Sequence, residues 1–219
     1  MITIVDYQMG NLRSVQKAIE RAGGSAIVTS DPDEVANSEA LILPGVGGFG
    51  EAVAELRARD LEKPILDFLA SGKPFLGICL GLQLLFETGY EGGIHRGLGV
   101  LPGDVVRFTP ADRALKVPHM GWNSVRSPKT FDLTQEPRML DPSDEGAFFY
   151  FVHSYYVRPA DPSLVALESD YDGPFCAMVQ RGPLIATQFH PEKSQQTGLR
   201  FLRRFVLNSI SSVPAGNGT

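Results

Sequence analysis

Cysteine is scarce in this 219-residue sequence, which holds only Cys79 and Cys176. Two thiols cannot build the disulfide framework of a small secreted domain, so a reducing compartment is expected and either thiol is free to react. Long apolar runs are missing as well. Stretches such as Ala40 to Leu43 and Ala147 to Val152 fall far short of the ~20 residues that span a bilayer, which excludes a helical membrane span. The chain enters an apolar run at Ile2 with no basic segment or cleavage pattern before it. No targeting segment is therefore read, and a cytoplasmic location is expected. Nor is there an excess of positive charge: 20 Lys and Arg stand against 25 Asp and Glu. With nothing global to attract a polyanion, nucleic-acid binding is a poor reading. Polar low-complexity tracts and internal repeats are absent, and 43% apolar with 21% charged residues describe an ordinary globular chain.

At roughly 150 residues per domain, one large domain is expected over residues 1–210, with residues 211–219, rich in Gly, Ser and Pro, read as a flexible tail. Short apolar runs at Ile2 to Val5, Ala26 to Thr29, Ala40 to Leu43 and Pro74 to Gly77 alternate with helical patterns. These patterns cover Leu12 to Ala22, Glu51 to Arg59, Pro64 to Ala70 and Leu80 to Glu87, with Asn11 placed to N-cap the first. Strands that are apolar throughout, separated by helices, predict an open, mostly parallel twisted sheet flanked by helices, an α/β fold. From Val100 to about Thr187 short strands separated by Pro, Gly and Asp turns predict an additional antiparallel β-rich portion. Ser127 to Glu145 reads as a surface loop. A closing helix over Gln195 to Ser209 places Leu199, Leu202, Phe205 and Val206 toward a core and Arg200, Arg203 and Arg204 toward solvent.

The most informative segment is Gly77-Ile78-Cys79-Leu80-Gly81, a strand ending in Gly-x-Cys-x-Gly and opening into a helix. A sharp strand-to-helix turn exposes the side chain of its central residue, and the flanking glycines remove Cβ atoms that would clash. The helix N-terminus favours thiolate, and the N–H of Leu80 is available to an oxyanion. A lone cysteine in apolar surroundings is usually an inert small hydrophobe, and Cys176 is read that way; its setting makes Cys79 a candidate nucleophile. Of the four histidines, His190 is best placed to serve it. It follows the apolar run Leu184 to Phe189 and opens His190-Pro191-Glu192, so Glu192 can orient the ring. Standing alone, a histidine at a strand end is more often a satisfied polar group; beside the elbow it becomes a candidate base.

The run Pro44-Gly45-Val46-Gly47-Gly48-Phe49-Gly50 also follows a strand and precedes a helix. It lacks the Gly-Lys-Ser/Thr ending of a phosphate cradle and no Gly-x-Gly-x-x-Gly follows the first strand, so nucleotide binding is disfavoured. Loops at the carboxyl ends of neighbouring parallel strands converge on one crevice. This loop can face the elbow and supply a second oxyanion donor at Val46 or Gly47.

Together, Gly77-Ile-Cys-Leu-Gly-Leu-Gln83 and Phe189-His-Pro-Glu192 resemble the class I glutamine amidotransferases, whose Cys-His-Glu triad releases ammonia from glutamine through a thioester. With Pro44-Gly-Val-Gly47, Lys116-Val-Pro-His-Met-Gly-Trp-Asn123 and Phe189-His-Pro-Glu-Lys-Ser194, the resemblance narrows to the glutaminase subunits of imidazole glycerol phosphate synthase and runs to about residue 207. It implies a flavodoxin-like fold with Cys79, His190 and Glu192 as the triad. It also implies oxyanion donors at Val46, Gly47 and Leu80, and glutamine contacts at Gln83, Ser154 and Tyr155. The implied partner is a (β/α)₈-barrel cyclase in a heterodimer, contacted at or near Asn11, Pro118, His119, Met120, Trp122, Asn123 and Lys193. No metal or organic cofactor is implied. By its residue type alone Trp122 could be a core anchor or an interface residue; the resemblance points to the interface. One departure is Gln8, where the family usually has glycine, which bears on the geometry of the first loop. Rival readings are the glutaminase of another ammonia-channelling synthase, such as that of vitamin B6 synthesis, a silent docking subunit, and a cysteine hydrolase of γ-glutamyl or peptide substrates.

Overall fold

The computed structural model describes residues 1–211. The expected tail lies almost wholly outside them. The chain opens with strand β1 (Ile2–Val5), helix α1 (Leu12–Arg21), β2 (Ala26–Thr29), the short helix α2 (Pro32–Ala36) and β3 (Ala40–Leu43). Helices α3 (Phe49–Ala58) and α4 (Glu62–Ala70) then lead to β4 (Phe75–Ile78) and the single-turn α5 (Leu80–Gln83). Strands β5 (Phe86–Gly89), β6 (His95–Arg96), β7 (Leu101–Arg107), β8 (His119–Ser124), β9 (Phe148–His153) and β10 (Tyr155–Pro159) follow. Strands β11 (Val165–Asp170), β12 (Pro174–Arg181) and β13 (Leu184–Thr187) precede the closing helix α6 (Gln195–Ser211).

Seven strands form the main sheet in the order β11-β12-β13-β4-β3-β1-β2. The five from β13 to β2 are parallel, and β12 and β11 extend the sheet antiparallel. Successive residues of a strand point to opposite faces, and here both faces are covered. Ile2 and Ile4 of β1, Ile42 of β3 and Leu76 and Ile78 of β4 enter one apolar cluster with α1 and α6. Leu41 and Leu43 of β3, Phe75 of β4 and Leu184 of β13 enter a second with α3 and α4. Burial on both faces is why these strands read as continuous apolar runs.

Part of the β-rich portion, β11 to β13, completes the main sheet, with β11 and β12 pairing antiparallel. The rest forms a four-stranded sheet, β10-β7-β5-β6, and an antiparallel β8-β9 ribbon. The helix expected over Leu80 to Glu87 stops at Gln83, after which the chain becomes β5. Leu84, Leu85 and Phe86 are fully buried, and the carbonyls of residues 84–87 accept from Gly97, Leu98, Gly99, Val100 and Leu101 instead of continuing a helix. The short helix α2 had no counterpart in the sequence reading. The Asp31 carboxylate caps it by accepting from the N–H groups of Asp33 and Glu34.

The stretch from Ser127 to Glu145 is more than a surface loop. Phe131, Met139 and Asp144 within it are buried, and the Asp144 carboxylate accepts from Arg204 Nη2 at 2.6 Å. Arg204 is therefore not part of a solvated basic face, whereas Arg200 and Arg203 are exposed. No helix among the described residues is long and apolar enough to cross a membrane.

Candidate active site

Strand β4 delivers Cys79 to the carboxyl end of the sheet between β3 and β13. Its N–H donates to the Thr187 carbonyl at 2.7 Å, and its carbonyl accepts from Leu82 and Gln83 to open α5. The backbone has φ +54° and ψ −105° there, a conformation L residues rarely adopt, held because its neighbours leave no alternative. Gly81 shows how closely: a Cβ at that position would run into the Leu43 carbonyl oxygen.

His190 is only 2% exposed. Its N–H donates to the Tyr150 carbonyl at 2.9 Å, and its Nδ1 lies 2.8 Å from Glu192 Oε1. Nε2 is buried without a geometrically complete hydrogen bond, so the ring has a free edge for proton transfer. Burial pulls the imidazole pKa down, but the Cys79 sulfur and the Glu192 carboxylate outweigh it and raise the pKa from 6.5 to about 10. A protonated imidazole beside the sulfur can donate to a leaving group and, once neutral, can activate water.

The sulfur has a further neighbour that the sequence reading missed. Gln188 Nε2 approaches Cys79 Sγ at 3.7 Å, while Gln188 Oε1 accepts from Gln83 Nε2 at 3.1 Å. Gln83 Nε2 also donates to the Tyr155 carbonyl at 3.0 Å. The signal was faint: one amide inside the apolar run Leu184 to Phe189, two residues before His190 and so on the same side of an extended chain.

A cavity of about 370 Å³ opens at this point. It is lined by Cys79 and Leu80 from the elbow, Val46 and Gly47 from the glycine loop, Gln83, and Ser154 and Tyr155 from the break between β9 and β10. Pro118 joins the same lining. Glu91 is the one carboxylate there, and its Oε2 accepts from the Phe49 N–H at 2.8 Å at the start of α3. Nothing in the local sequence marked Glu91, because the loop after β5 brings it in. A carboxylate in that place can hold an ammonium group.

The glycine loop is held from below by the first loop of the chain. The buried Tyr7 hydroxyl donates to the Pro44 carbonyl at 2.8 Å, and burial together with negative charge at Cys79 pushes the Tyr7 pKa far up. Gly47 has φ +101°, and a Cβ on it would press on the Met9 methyl. Gln8, the departure from the family pattern, takes φ +65° and so occupies the left-handed region that glycine favours. Val46 is 41% exposed.

The residues expected at a partner interface divide. Met120 is 62% and Trp122 46% exposed on β8, and the Trp122 ring stands edge-on to Tyr150 at 6.1 Å. Tyr150 is in turn covered by Lys193 Nζ at 5.9 Å from its ring centre. Pro118 and Asn11 are exposed. Asn11 occupies the N-cap position of α1, but its side chain makes no capping bond. His119, expected at or near the interface, is 4% exposed, because β8 alternates and turns its side chain inward. Asn123 is half-buried and follows it inward, donating to the Asp170 carbonyl at 2.8 Å. Cys176 is buried, its thiol pushed up by burial and 3.6 Å from the Met178 carbonyl. Among the described residues no group of three or more His, Cys, Asp or Glu side chains could hold a metal ion.

A family model described as glutamine amidotransferase class-I matches residues 3–209. The chain is 66% identical over 207 residues to imidazole glycerol phosphate synthase subunit HisH of Rhodopirellula baltica, covering 94% of this chain and 97% of that protein. It is 53% identical over 210 residues to the subunit of the same name from Syntrophotalea carbinolica, covering 94% and 98%. Among solved structures, a glutamine amidotransferase superposes with a TM-score of 0.71 at 19% identity, covering 95% of this chain and 99% of that one. PurLQS from Thermotoga maritima gives 0.70 at 20% identity, covering 96% of each. At such identities the structural likeness speaks for the fold.

Proposed function

The chain belongs to the class I glutamine amidotransferases, and from that premise we propose that it is the glutaminase subunit of imidazole glycerol phosphate synthase in histidine biosynthesis. Its high identity to HisH subunits along nearly the whole chain supports this assignment. In this reading Cys79 sulfur attacks the side-chain carbonyl carbon of glutamine. The resulting oxyanion is met by the N–H of Leu80 and by an N–H of the Val46-Gly47 segment. Collapse breaks the C–N bond, and His190, steadied by Glu192, passes a proton to the departing ammonia. Water activated by neutral His190 then hydrolyses the γ-glutamyl thioester and frees glutamate.

Gln83, Ser154 and Tyr155 border the amino-acid end of the substrate, and Glu91 pairs with its ammonium group. Ammonia passes to a (β/α)₈-barrel cyclase docked on the face that carries Met120, Trp122 and Lys193. There it serves the synthesis of imidazole glycerol phosphate and an aminoimidazole carboxamide ribonucleotide. No metal or organic cofactor takes part, and the enzyme works in the cytoplasm as one half of a heterodimer.

The observation that carries the mechanism is the strained Cys79 at the elbow, with the buried His190-Glu192 pair beside it. The test is glutamate release from glutamine by the wild type and by Cys79→Ala, each alone and with the cyclase and its nucleotide ligand. Release that depends on Cys79 and rises on adding the partner is expected. Release undiminished in Cys79→Ala would overturn the mechanism.

A further inference from the structure

Two histidines outside the triad lie one after the other at the proposed glutamine cavity, His153 in its lining and His119 beyond it. His119 Nδ1 is 3.1 Å from His153 Nε2, His153 Nδ1 is 2.8 Å from the Tyr155 carbonyl, and Asn123 Nδ2 is 3.3 Å from His119 Nε2. Protons can be placed along this row from the ends inward. A carbonyl oxygen only accepts, so His153 carries its proton on Nδ1 and leaves Nε2 as an acceptor. His119 must then donate from Nδ1, which leaves its own Nε2 to accept. At the far end Asn123 supplies that donor. Its amide orientation is fixed because Oδ1 accepts from the Ser124 N–H at 2.8 Å and Nδ2 also donates to the Asp170 carbonyl.

Every bond in the row therefore runs one way, from Asn123 through His119 and His153 to the Tyr155 carbonyl. On its other side the same carbonyl accepts from Gln83 Nε2, so two donors fix it. The surroundings keep both rings neutral. Tyr171 lies 4.2 Å from the His119 ring, and Phe108 and Phe175 lie 5.2 and 5.3 Å from that of His153. Burial pulls the two pKa values down to about 4 and about 3. A protonated ring would break the row, since it has no lone pair to accept with.

We propose that His119 and His153 are positioning residues for glutamine binding: as a one-way hydrogen-bonded pair they fix the Tyr155 carbonyl, and through it Gln83 and the substrate-facing Ser154-Tyr155 segment. This rests on the glutaminase reading above but is separable from it. Both ring nitrogens of His153 are engaged by His119 and the Tyr155 carbonyl rather than by the sulfur, so loss of the pair acts on binding more than on bond breaking. The row also joins the strand that bears Trp122 to the residues around Cys79.

The first test is two-bond ¹⁵N–¹H correlation of the histidine rings in the full chain between pH 6.5 and 8. His119 and His153 are both expected as the Nδ1–H form, and an Nε2–H form at either would overturn the proposal. That spectrum needs no catalysis, so it stands even if the wild type proves to release no glutamate, a result that would instead sink the glutaminase reading. The second test compares His119→Phe with His119→Asn, whose amide nitrogen reaches the Nδ1 position, in the assembled enzyme. Loss of one buried hydrogen bond predicts a KM for glutamine about tenfold higher in His119→Phe. A kcat within about threefold of wild type and recovery of KM in His119→Asn are expected with it. An unchanged KM in His119→Phe, or the same KM rise in both variants, would overturn it. Where His119→Phe fails to fold, His119→Asn is read by the His153 tautomer, which must stay Nδ1–H.

Discussion

The two walls of the proposed glutamine cavity are built on opposite plans. One wall, the elbow with Gln83 and Gln188 behind it, is fixed by the sheet: Cys79 hangs from the Thr187 carbonyl, and Gly81 lies flush against the Leu43 carbonyl. The other, the loop from Pro44 to Gly48, is packed only at its base, where Gly45 lies close against Tyr7 and Leu80; beyond it Val46 and Gly47 are exposed, and side-chain tethers hold the ends, the Tyr7 hydroxyl on Pro44 and Glu91 on the Phe49 N–H. Backbone packed on backbone has one arrangement, whereas a loop tethered by side chains can have several. The proposed nucleophile is thus set by folding itself, and the proposed oxyanion loop is where a partner would have something left to adjust.

Substitution at Gly81 tests the rigid wall most severely. Gly81→Ala forces a methyl against the Leu43 carbonyl oxygen, and a loss of about 3 kcal/mol in urea-unfolding free energy is expected. A loss below about 1 kcal/mol would show that the elbow can yield as readily as the loop.

Acid should weaken the support that the β8-β9 ribbon gives this wall through the Tyr155 carbonyl and Gln83. His119 and His153 are neutral in the fold, with pKa values lowered from 6.5 to about 4 and about 3 by burial. Below pH 6.5 the unfolded chain binds more protons than the folded one, so their contribution is whole above that pH and falls as the pH drops toward 4. His190 is the further cationic group acting on His153. Urea midpoints at pH 7 and pH 5 should drop more for the wild type than for His119→Asn; equal drops would remove the buried histidines from the account.

On the loop side the expected effects are smaller. Tyr7→Phe frees the Pro44 carbonyl at a cost of about 1 kcal/mol, the net worth of one hydrogen bond. Because the loop and not the elbow is loosened, alkylation of Cys79 by iodoacetamide should keep its wild-type rate. Gln8→Gly relieves a left-handed backbone but adds freedom to the unfolded chain, and a gain of about 0.5 kcal/mol is expected in thermal unfolding. A loss there would mean that the Gln8 side chain makes a contribution of its own.

The rigid wall was the more legible in sequence, for the same physical reason that makes it rigid. Ile2 to Val5, Ala40 to Leu43 and Gly77 to Gly81 carry their structure in local signals: apolar runs buried on both faces and glycines where backbones meet. The end of α5 was not legible, because Leu80 to Glu87 satisfies a helical pattern and only distant carbonyl partners at residues 97–101 stop it. Gln188 was hidden in an apolar run. Glu91 and the Asp144-Arg204 pair join segments far apart in the chain, so no local window holds both halves. No strand was read over His119 to Ser124, since β8 is too short and too mixed in composition for its alternation to show, so the inward turn of His119 was not legible either.

The β8-β9 ribbon pairs strand to strand only with itself among the described residues, and its two faces take alternate residues. His119 and Asn123 point inward, while Met120 and Trp122 point out. Mutation can rewrite the outward set one side chain at a time without disturbing a ladder of the main sheet or the row of histidines beneath. Descendants of one ammonia-producing scaffold can therefore drift toward different companions on that strip while their chemistry stays inherited unchanged.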